Sequence, residues 1–486
     1  MTWEIFVILH SEYMQKEKKD DLLLLIRQGK PMTTAQQLRL VLMLSTPAIL
    51  AQLTTTMMQY IDAAMVGSQG ANASASIGLV ETTTWMMGSV CSCAAAGFYV
   101  QVAHLLGAND DKEARSVLRQ ALAAVIGFGC VMGLIGFIVS PWLPIWLGGN
   151  EDINGTASAY FAIFSIGIPI FQTSMLGAGM LRSSGNMLVP SILSAIMMIL
   201  DVVFNFFLIF PSRTVDFLGV ELFIPGAGLS VVGAAIGTVS AETITASLLM
   251  YFLCFRSKDL RLTIDKGNFK PKWNYIKKAL HIGGPMSIQQ VIMSSAYIAT
   301  TIIVAPLGTF AIAAHSFGIV IESLCYMPGY GIGDAATTLV GQSVGAGRRD
   351  LTRKFAYMSV ALGMGVMAFM GFVMYIGAPF FMGMMTPVEE VRQLGVMALR
   401  IEAFAEPMFA AAIVCYGVFV GASDTLIPSG MNLLSMWIVR IPMSAILALS
   451  LGLQGVWIAM CLELCFRGII FLCRLRWGNW MKTIND

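Results

Sequence analysis

Charge is scarce in this chain of 486 residues: Asp, Glu, Lys and Arg make up only 12% of it. Soluble domains usually carry roughly 25%. A soluble protein of this length needs far more charge to stay dispersed, so the composition excludes a soluble enzyme, a nucleic-acid binder and a disordered chain. Histidine is scarcer still. His10, His104, His281 and His315 stand at no metal-ligand spacing, and no nucleophile motif accompanies them. A signal peptide is also lacking: the apolar stretch 3–10 has no basic flank before it and no small-residue cleavage site after it. Net charge is only +2, so bulk charge names no partner. Nine cysteines are present, each within or at the end of an apolar segment, where a thiol packs as a small apolar group and implies no disulfide framework.

What is abundant is apolar sequence, at 57%, with a mean hydropathy of +0.74. Runs long enough to cross about 30 Å of hydrocarbon are expected at 39–66, 74–104, 116–140, 156–180, 187–211, 228–255, 275–305, 311–344, 355–380, 392–420, 427–450 and 452–474. The expected fold is therefore all-α and polytopic, with twelve transmembrane helices and mostly short connections. Basic residues orient it. Lys16, Lys18, Lys19, Arg27 and Lys30 precede helix 1 and Arg39 opens it. Lys112, Arg115 and Arg119 follow helix 2, eight Lys and Arg from Arg256 to Lys278 follow helix 6, and Arg348, Arg349, Arg353 and Lys354 follow helix 8. Arg474, Arg476 and Lys482 end the chain, whereas the opposite loops hold Arg213 and little else. By the positive-inside rule both termini are cytoplasmic. Residues 1–35 read as a cytoplasmic arm, part of it an interfacial helix, and Met14 is an alternative start to Met1.

The two halves repeat each other at an offset of 238 residues. Pro47 pairs with Pro285, Gly70 with Gly308, Ala73 with Ala311, Gly107-Ala108 with Gly345-Ala346, Pro169 with Pro407 and Gly179 with Gly417. Six helices per half is an even number, so the halves share one orientation and are related by a pseudo-two-fold axis along the membrane normal. This divides the chain into an arm (1–38), an N-terminal six-helix bundle (39–255), a basic cytoplasmic linker (256–274), a C-terminal six-helix bundle (275–475) and a cytoplasmic tail (476–486). Two bundles around a cavity are the plan of a transporter that works by alternating access.

Gln59-Tyr60-Ile61-Asp62-Ala63-Ala64-Met65-Val66-Gly67 resembles the end of helix 1 in the multidrug and toxic compound extrusion (MATE) family. So do Gly107-Ala108 followed by Ala114-Arg115, and Gly179–Gly185 with Pro190 beyond; Gly417–Thr425 with Pro428 repeats that last pattern in the second half. The resemblance covers about residues 40–474. It implies efflux of amphipathic, often cationic organic compounds driven by inward flow of H⁺ or Na⁺, without any other cofactor. The implied partners are small organic substrates and the lipid bilayer, with no nucleic acid, in a monomer in the bacterial inner membrane.

Carboxylates inside predicted helices are costly and need a partner or a wet cavity. They are Asp62, Glu81, Asp201, Glu242, Glu322, Asp334, Glu402, Glu406 and Glu463. Asp62 is the first candidate for cation coupling, since the resemblance implies that an acid at this point of helix 1 binds or exchanges the coupling cation. Asp201 and Asn205 lie one turn apart on one face of helix 5. The resemblance places Asn205 and the Thr238 hydroxyl in the same pocket, while Ile209 departs from an Asp found in one branch of the family. Asp62, Asp201, Asn205 and Thr238 together offer hard oxygens suited to Na⁺ or a relay suited to H⁺, and Na⁺ itself would sit at Asp62, Asp201 and Asn205. The second half departs further: helix 7 has no acid, Gln289 and Gln290 are its deep polar groups, and Thr300 is the repeat mate of Asp62. Glu322, Glu402, Glu406 and Gln289 are the candidates there for substrate contact or a second coupling site. Their alternative role is structural pairing with Arg400, Arg440 or His315. Glu81, Glu242, Asp334 and Glu463 read mainly as structural. The remaining alternatives for the whole protein are a lipid-linked saccharide flippase of the same wider superfamily, which would want a basic cavity, and an intramembrane enzyme.

Overall fold

A computed structural model describes residues 21–217, 220–270 and 272–481. The expected Lys16–Lys19 part of the arm, the Met1/Met14 alternatives and the end of the tail lie outside them. The membrane helices are α1 (Thr34–Gly67), α2 (Ala71–Gly107), α3 (Asp111–Val139), α4 (Glu151–Ser183), α5 (Leu188–Ile209) and α6 (Ser230–Arg256) in the first half. The second half holds α7 (Trp273–Leu307), α8 (Thr309–Gly345), α9 (Arg349–Met385), a broken α10 made of α10a (Glu389–Glu402) and α10b (Glu406–Gly421), α11 (Leu426–Leu451) and α12 (Leu453–Trp477). Counting the broken pair as one span gives twelve.

Local chemistry sets the helix ends. Thr33 caps α1 through a reciprocal capping box with Gln36, and the Asp110 side chain accepts from the Glu113 N–H at the start of α3. Ser and Thr hydroxyls inside the helices, such as Thr46, Thr54 and Thr55, donate to the carbonyl four residues earlier. Such bonds satisfy these hydroxyls within their own helix. Helix α10 bends by 59° at Ala403–Ala405. The expected run 392–420 is thus two helices, because Pro407 lacks the N–H that would continue the ladder of α10a. The connection after α5, expected to be a plain loop, is an antiparallel hairpin of β1 (Pro211–Phe217) and β2 (Val220–Ala227).

The repeat is visible in the backbone. Gly70 and Gly308 have φ of 112° and 100°, Asn109 and Gly347 have 64° and 68°, and Gly185 and Ser423 have 82° and 61°. Each pair is separated by the same 238 residues. The two lobes meet in matching fashion. A Cβ on Gly107 would collide with the Gln342 carbonyl, and a Cβ on Gly345 with the His104 carbonyl. Residues 107 and 345, and likewise 104 and 342, are repeat mates, so α2 and α8 cross at the pseudo-two-fold axis with glycine at both contact points.

Cross-lobe contacts concentrate at the end that carries the basic loops. Gly97 abuts Ala279, Gly283 abuts Cys93 and Gly331 abuts Ile49. The Gln342 amide donates to Ser183 O at 2.7 Å, His104 Nε2 meets Gly421 O at 2.7 Å, and Gln101 donates to Tyr275 O at 3.1 Å. Helical residues 21–27 lie across this seam. Leu22, Leu23 and Ile26 are buried with Met187 of one lobe and Leu351 and Phe355 of the other. Arg27 pairs with Asp259 at 2.9 Å, and Arg348 donates to Lys30 O at 3.0 Å. The linker is pinned as well: Arg115 pairs with Asp265 at 2.5 Å, and Arg119 donates to Asp265 O. The Arg115 guanidinium holds the Asp265 carboxyl below its ordinary range. Towards the opposite end, Glu81, Trp85 and Gly88 of α2 and Tyr297, Ile298 and Thr301 of α7 are exposed. The lobes are joined at the basic end and parted at the other.

Candidate functional site

In the N-terminal lobe the predicted polar residues converge. Asp62 lies one and a half turns before the end of α1, Asp201 and Asn205 lie on the inner face of α5, and Thr238 faces them from α6. The Asn205 amide donates to Asp62 Oδ1 at 2.9 Å and to Asp201 Oδ2 at 3.1 Å. One NH₂ group therefore ties two carboxyls together. The Asp62 and Asp201 side chains are close neighbours, and the Thr238 hydroxyl lies close to Asp201. Asp201 and Asn205 are fully buried and Asp62 is partly open. Two buried acceptors, Asp201 Oδ1 and Asn205 Oδ1, have no hydrogen-bond partner. An unmet buried acceptor costs about 1–3 kcal/mol, so the pocket is short of positive or donor character.

Glu242, which from its sequence position reads mainly as structural, adjoins this pocket. It stands one turn beyond Thr238 on the same face of α6, buried, near Ser174 and close enough to feel the Asp201 charge. The i, i+4 spacing from Thr238 was the available signal. The pocket lies in the half of the lobe away from the basic loops, on the side where the lobes are parted.

In the C-terminal lobe, Glu402 ends α10a and Glu406 begins α10b, so the break in α10 presents both carboxyls to the interior. They are 0% and 1% exposed, and all four of their carboxyl oxygens lack a partner. Glu322 of α8 is the acid that acts on both, and the Arg440 and Arg467 charges act on Glu322. The pairing considered from sequence is not what forms. Glu463 takes Arg467 in a two-pronged bond, 2.7 Å on each side, along with the Ser435 hydroxyl, and has Arg440 at 3.9 Å. Arg400 stacks over the Tyr375 ring and His315 meets the edge of Trp457. Gln289 is buried with its carbonyl oxygen unpartnered, and no hydrogen bond links it to the three acids. Thr300, the repeat mate of Asp62, donates within its own helix.

Asp334, also read as structural, is a cross-lobe contact. Arg182 of α4 pairs with it at 3.1 Å, Gln52 of α1 donates to it at 3.3 Å, and the Thr338 hydroxyl one turn on donates to Arg182 O. Among the described residues no three His, Cys, Asp or Glu side chains converge as a metal site.

Two six-helix lobes related by repeat, joined at one end and enclosing buried acids, define a polytopic helical membrane protein of transporter architecture. The chain belongs to the MatE family, whose sequence profile matches residues 47–207 and again residues 285–446. The two matches begin 238 residues apart, at Pro47 and Pro285. The chain is 25% identical over 423 residues to a probable multidrug resistance protein NorM of Thermotoga maritima, covering 87% of this chain and 88% of that one. It is 27% identical over 448 residues to a probable multidrug resistance protein NorM of Idiomarina loihiensis, covering 89% and 92%. The fold is similar to a solved outward-facing conformation of a multidrug resistance MATE family transporter, with a TM-score of 0.82, 19% identity, and coverage of 92% of this chain and 98% of that chain.

Proposed function

We propose that the protein is a multidrug exporter of the secondary active kind, exchanging amphipathic, cationic organic compounds for H⁺ or Na⁺ by alternating access. The observation that carries this reading is the Asp62–Asn205–Asp201 cluster with its two unpartnered acceptor oxygens. Two carboxyls sharing one amide donor do not both ionise cheaply in a buried pocket. Such a pocket takes up a proton or a small hard cation and gives it back when the surroundings change. Oxygen donors alone suit Na⁺ as well as H⁺.

In this reading the basic end is cytoplasmic, both termini lie there, and the parted end opens outward from the bacterial inner membrane. Asp62 and Asp201 load from outside and release inside, with Asn205 holding the two acids together and Thr238 and Glu242 completing the pocket. Glu402 and Glu406, with Glu322 behind them, act as a second acidic locus that meets cationic substrate or joins coupling. The chain acts as a monomer.

The test is counterflow of a fluorescent organic cation in proteoliposomes under an imposed ΔpH or ΔNa⁺. Acceleration by one gradient supports the reading and names the ion. Transport indifferent to both gradients would remove the antiport reading.

A further inference from the structure

The outer face of the C-terminal lobe holds a cleft whose lining includes none of the carboxylates described above. Helix α10 packs against α8 on its inner side, and α9 and α12 flank it. Its remaining face, between α9 and α12, therefore points away from the other lobe, towards lipid. A cleft of about 490 Å³ lies there, lined by Tyr375 of α9, Arg400 and Ile401 of α10a, Phe404 of the break, and Gln454, Ile458 and Leu462 of α12 among others.

The lining is graded along the membrane normal. Arg400 and Gln454 stand towards the end opposite the basic loops. Arg400 is eleven residues into α10a (389 to 400), about 16 Å of helix, and Gln454 is the second residue of α12. Helix α9 has 37 residues, about 55 Å, so its ends overrun a hydrocarbon layer of about 30 Å. Arg400 then sits near the hydrocarbon boundary of that leaflet. Phe404 and Leu462 continue the walls towards the midplane.

Arg400 is exposed to this cleft and has no carboxylate partner among the described residues; its guanidinium lies 5.5 Å over the Tyr375 ring, which in turn meets the edge of Phe404 at 5.6 Å. The other cations deep in the lobe, Arg440 and Arg467, are both committed to Glu463. A guanidinium at the lipid boundary with no carboxylate partner suits an anionic ligand, and its planar fork fits phosphate.

We propose that this cleft is a phospholipid-binding site for the leaflet away from the basic loops, with the lipid phosphate on Arg400 and an acyl chain lying along Ile401, Phe404 and Leu462. The order of the lining, cation and amide outermost and apolar wall inward, is the order of a phospholipid. Because Phe404 belongs to the break in α10, an occupied cleft braces the helix where it bends.

The test is native mass spectrometry of the full chain reconstituted in phosphatidylglycerol–phosphatidylethanolamine vesicles and extracted in mild detergent. The expected result is one retained phospholipid in the parent protein. Retention should fall at least about fivefold in Arg400→Gln and stay unchanged in Arg392→Gln, whose arginine is exposed and paired with Glu389. Ile458→Trp, which fills the groove and leaves Arg400 in place, should lose the lipid as well. Lipid retention in Arg400→Gln and Ile458→Trp equal to that of the parent protein would overturn the site. So would protection of lipid-free protein by inorganic phosphate through Arg400, which would mark a free-anion site in place of a lipid one.

Discussion

Arg182 and Asp334 lie in opposite lobes and join them on the side of the molecule that is closed. Replacing Asp334 with Asn keeps the shape and the bond to Gln52 but removes the charge. The pair is 3.1 Å long, with side chains 24% and 31% exposed, so it is neither a free surface pair nor a fully buried one. Exposed pairs contribute about 0.2–1 kcal/mol, and hydrogen bonds to charged groups about 1.5–3. An intermediate value of about 1–2 kcal/mol fits this burial. Cross-lobe bonds from Thr338 and Gln342 to the α4 C-terminus remain, so closure is weakened and not abolished. A shift of 1–2 kcal/mol changes the ratio of closed to open forms at this end by about 5–30-fold. Spin labels at exposed Lys112 and Arg349, in a background lacking the exposed Cys130 and Cys473, would report it as loss of the short inter-lobe distance. An unchanged distance distribution in Asp334→Asn would refute the idea that this pair holds the lobes together.

Three further outcomes follow from the same geometry. Gly345→Ala places a Cβ against the His104 carbonyl; overpacking of this kind costs about 1–3 kcal/mol, so the same label pair should move apart without loss of membrane insertion. Glu463→Gln leaves Arg467 and Arg440 buried without their anion, a change worth about 3–5 kcal/mol, and should lower the thermal midpoint of detergent-solubilised protein markedly while Glu389→Gln does not. Cysteine reporters at 148–155 should label from outside the cell and reporters at 265–270 should not; outside labelling at 265–270 would reverse the orientation.

The helices and the repeat were legible in sequence because each rests on local information. Twenty-residue apolar runs mark the spans, and glycines at a fixed offset mark turns that need positive φ, such as Gly70 and Gly308. The cluster of Asp62, Asp201, Asn205 and Thr238 was legible through helical spacing on α5 and through family resemblance. The hairpin at Pro211–Ala227 was hidden because its strands are short and follow directly on the apolar end of α5. Partnerships between helices were the least legible. Arg400, Arg440 and His315 were all plausible mates for the acids of α10, yet Arg440 faces Glu463, Arg400 lies on Tyr375 and His315 on Trp457. Choosing among them takes the rotation of each helix about its axis, which hydropathy leaves undetermined in nearly uniformly apolar segments. Asp334 was assigned to structure for the same reason: its partner Arg182 is 152 residues away in the other lobe.

The central claim is that the acids of the N-terminal lobe couple ion flow to export. It is tested most directly by gradient-driven uptake of a fluorescent organic cation into vesicles, comparing the parent protein with Asp62→Asn, alongside binding of the same compound to purified protein. The amide keeps the size of the side chain but takes up no proton and offers no charge to Na⁺. Driven uptake should therefore be lost while binding stays within about tenfold, roughly 1.4 kcal/mol. Undiminished driven uptake by Asp62→Asn would contradict the account and move the coupling to Glu322, Glu402 and Glu406.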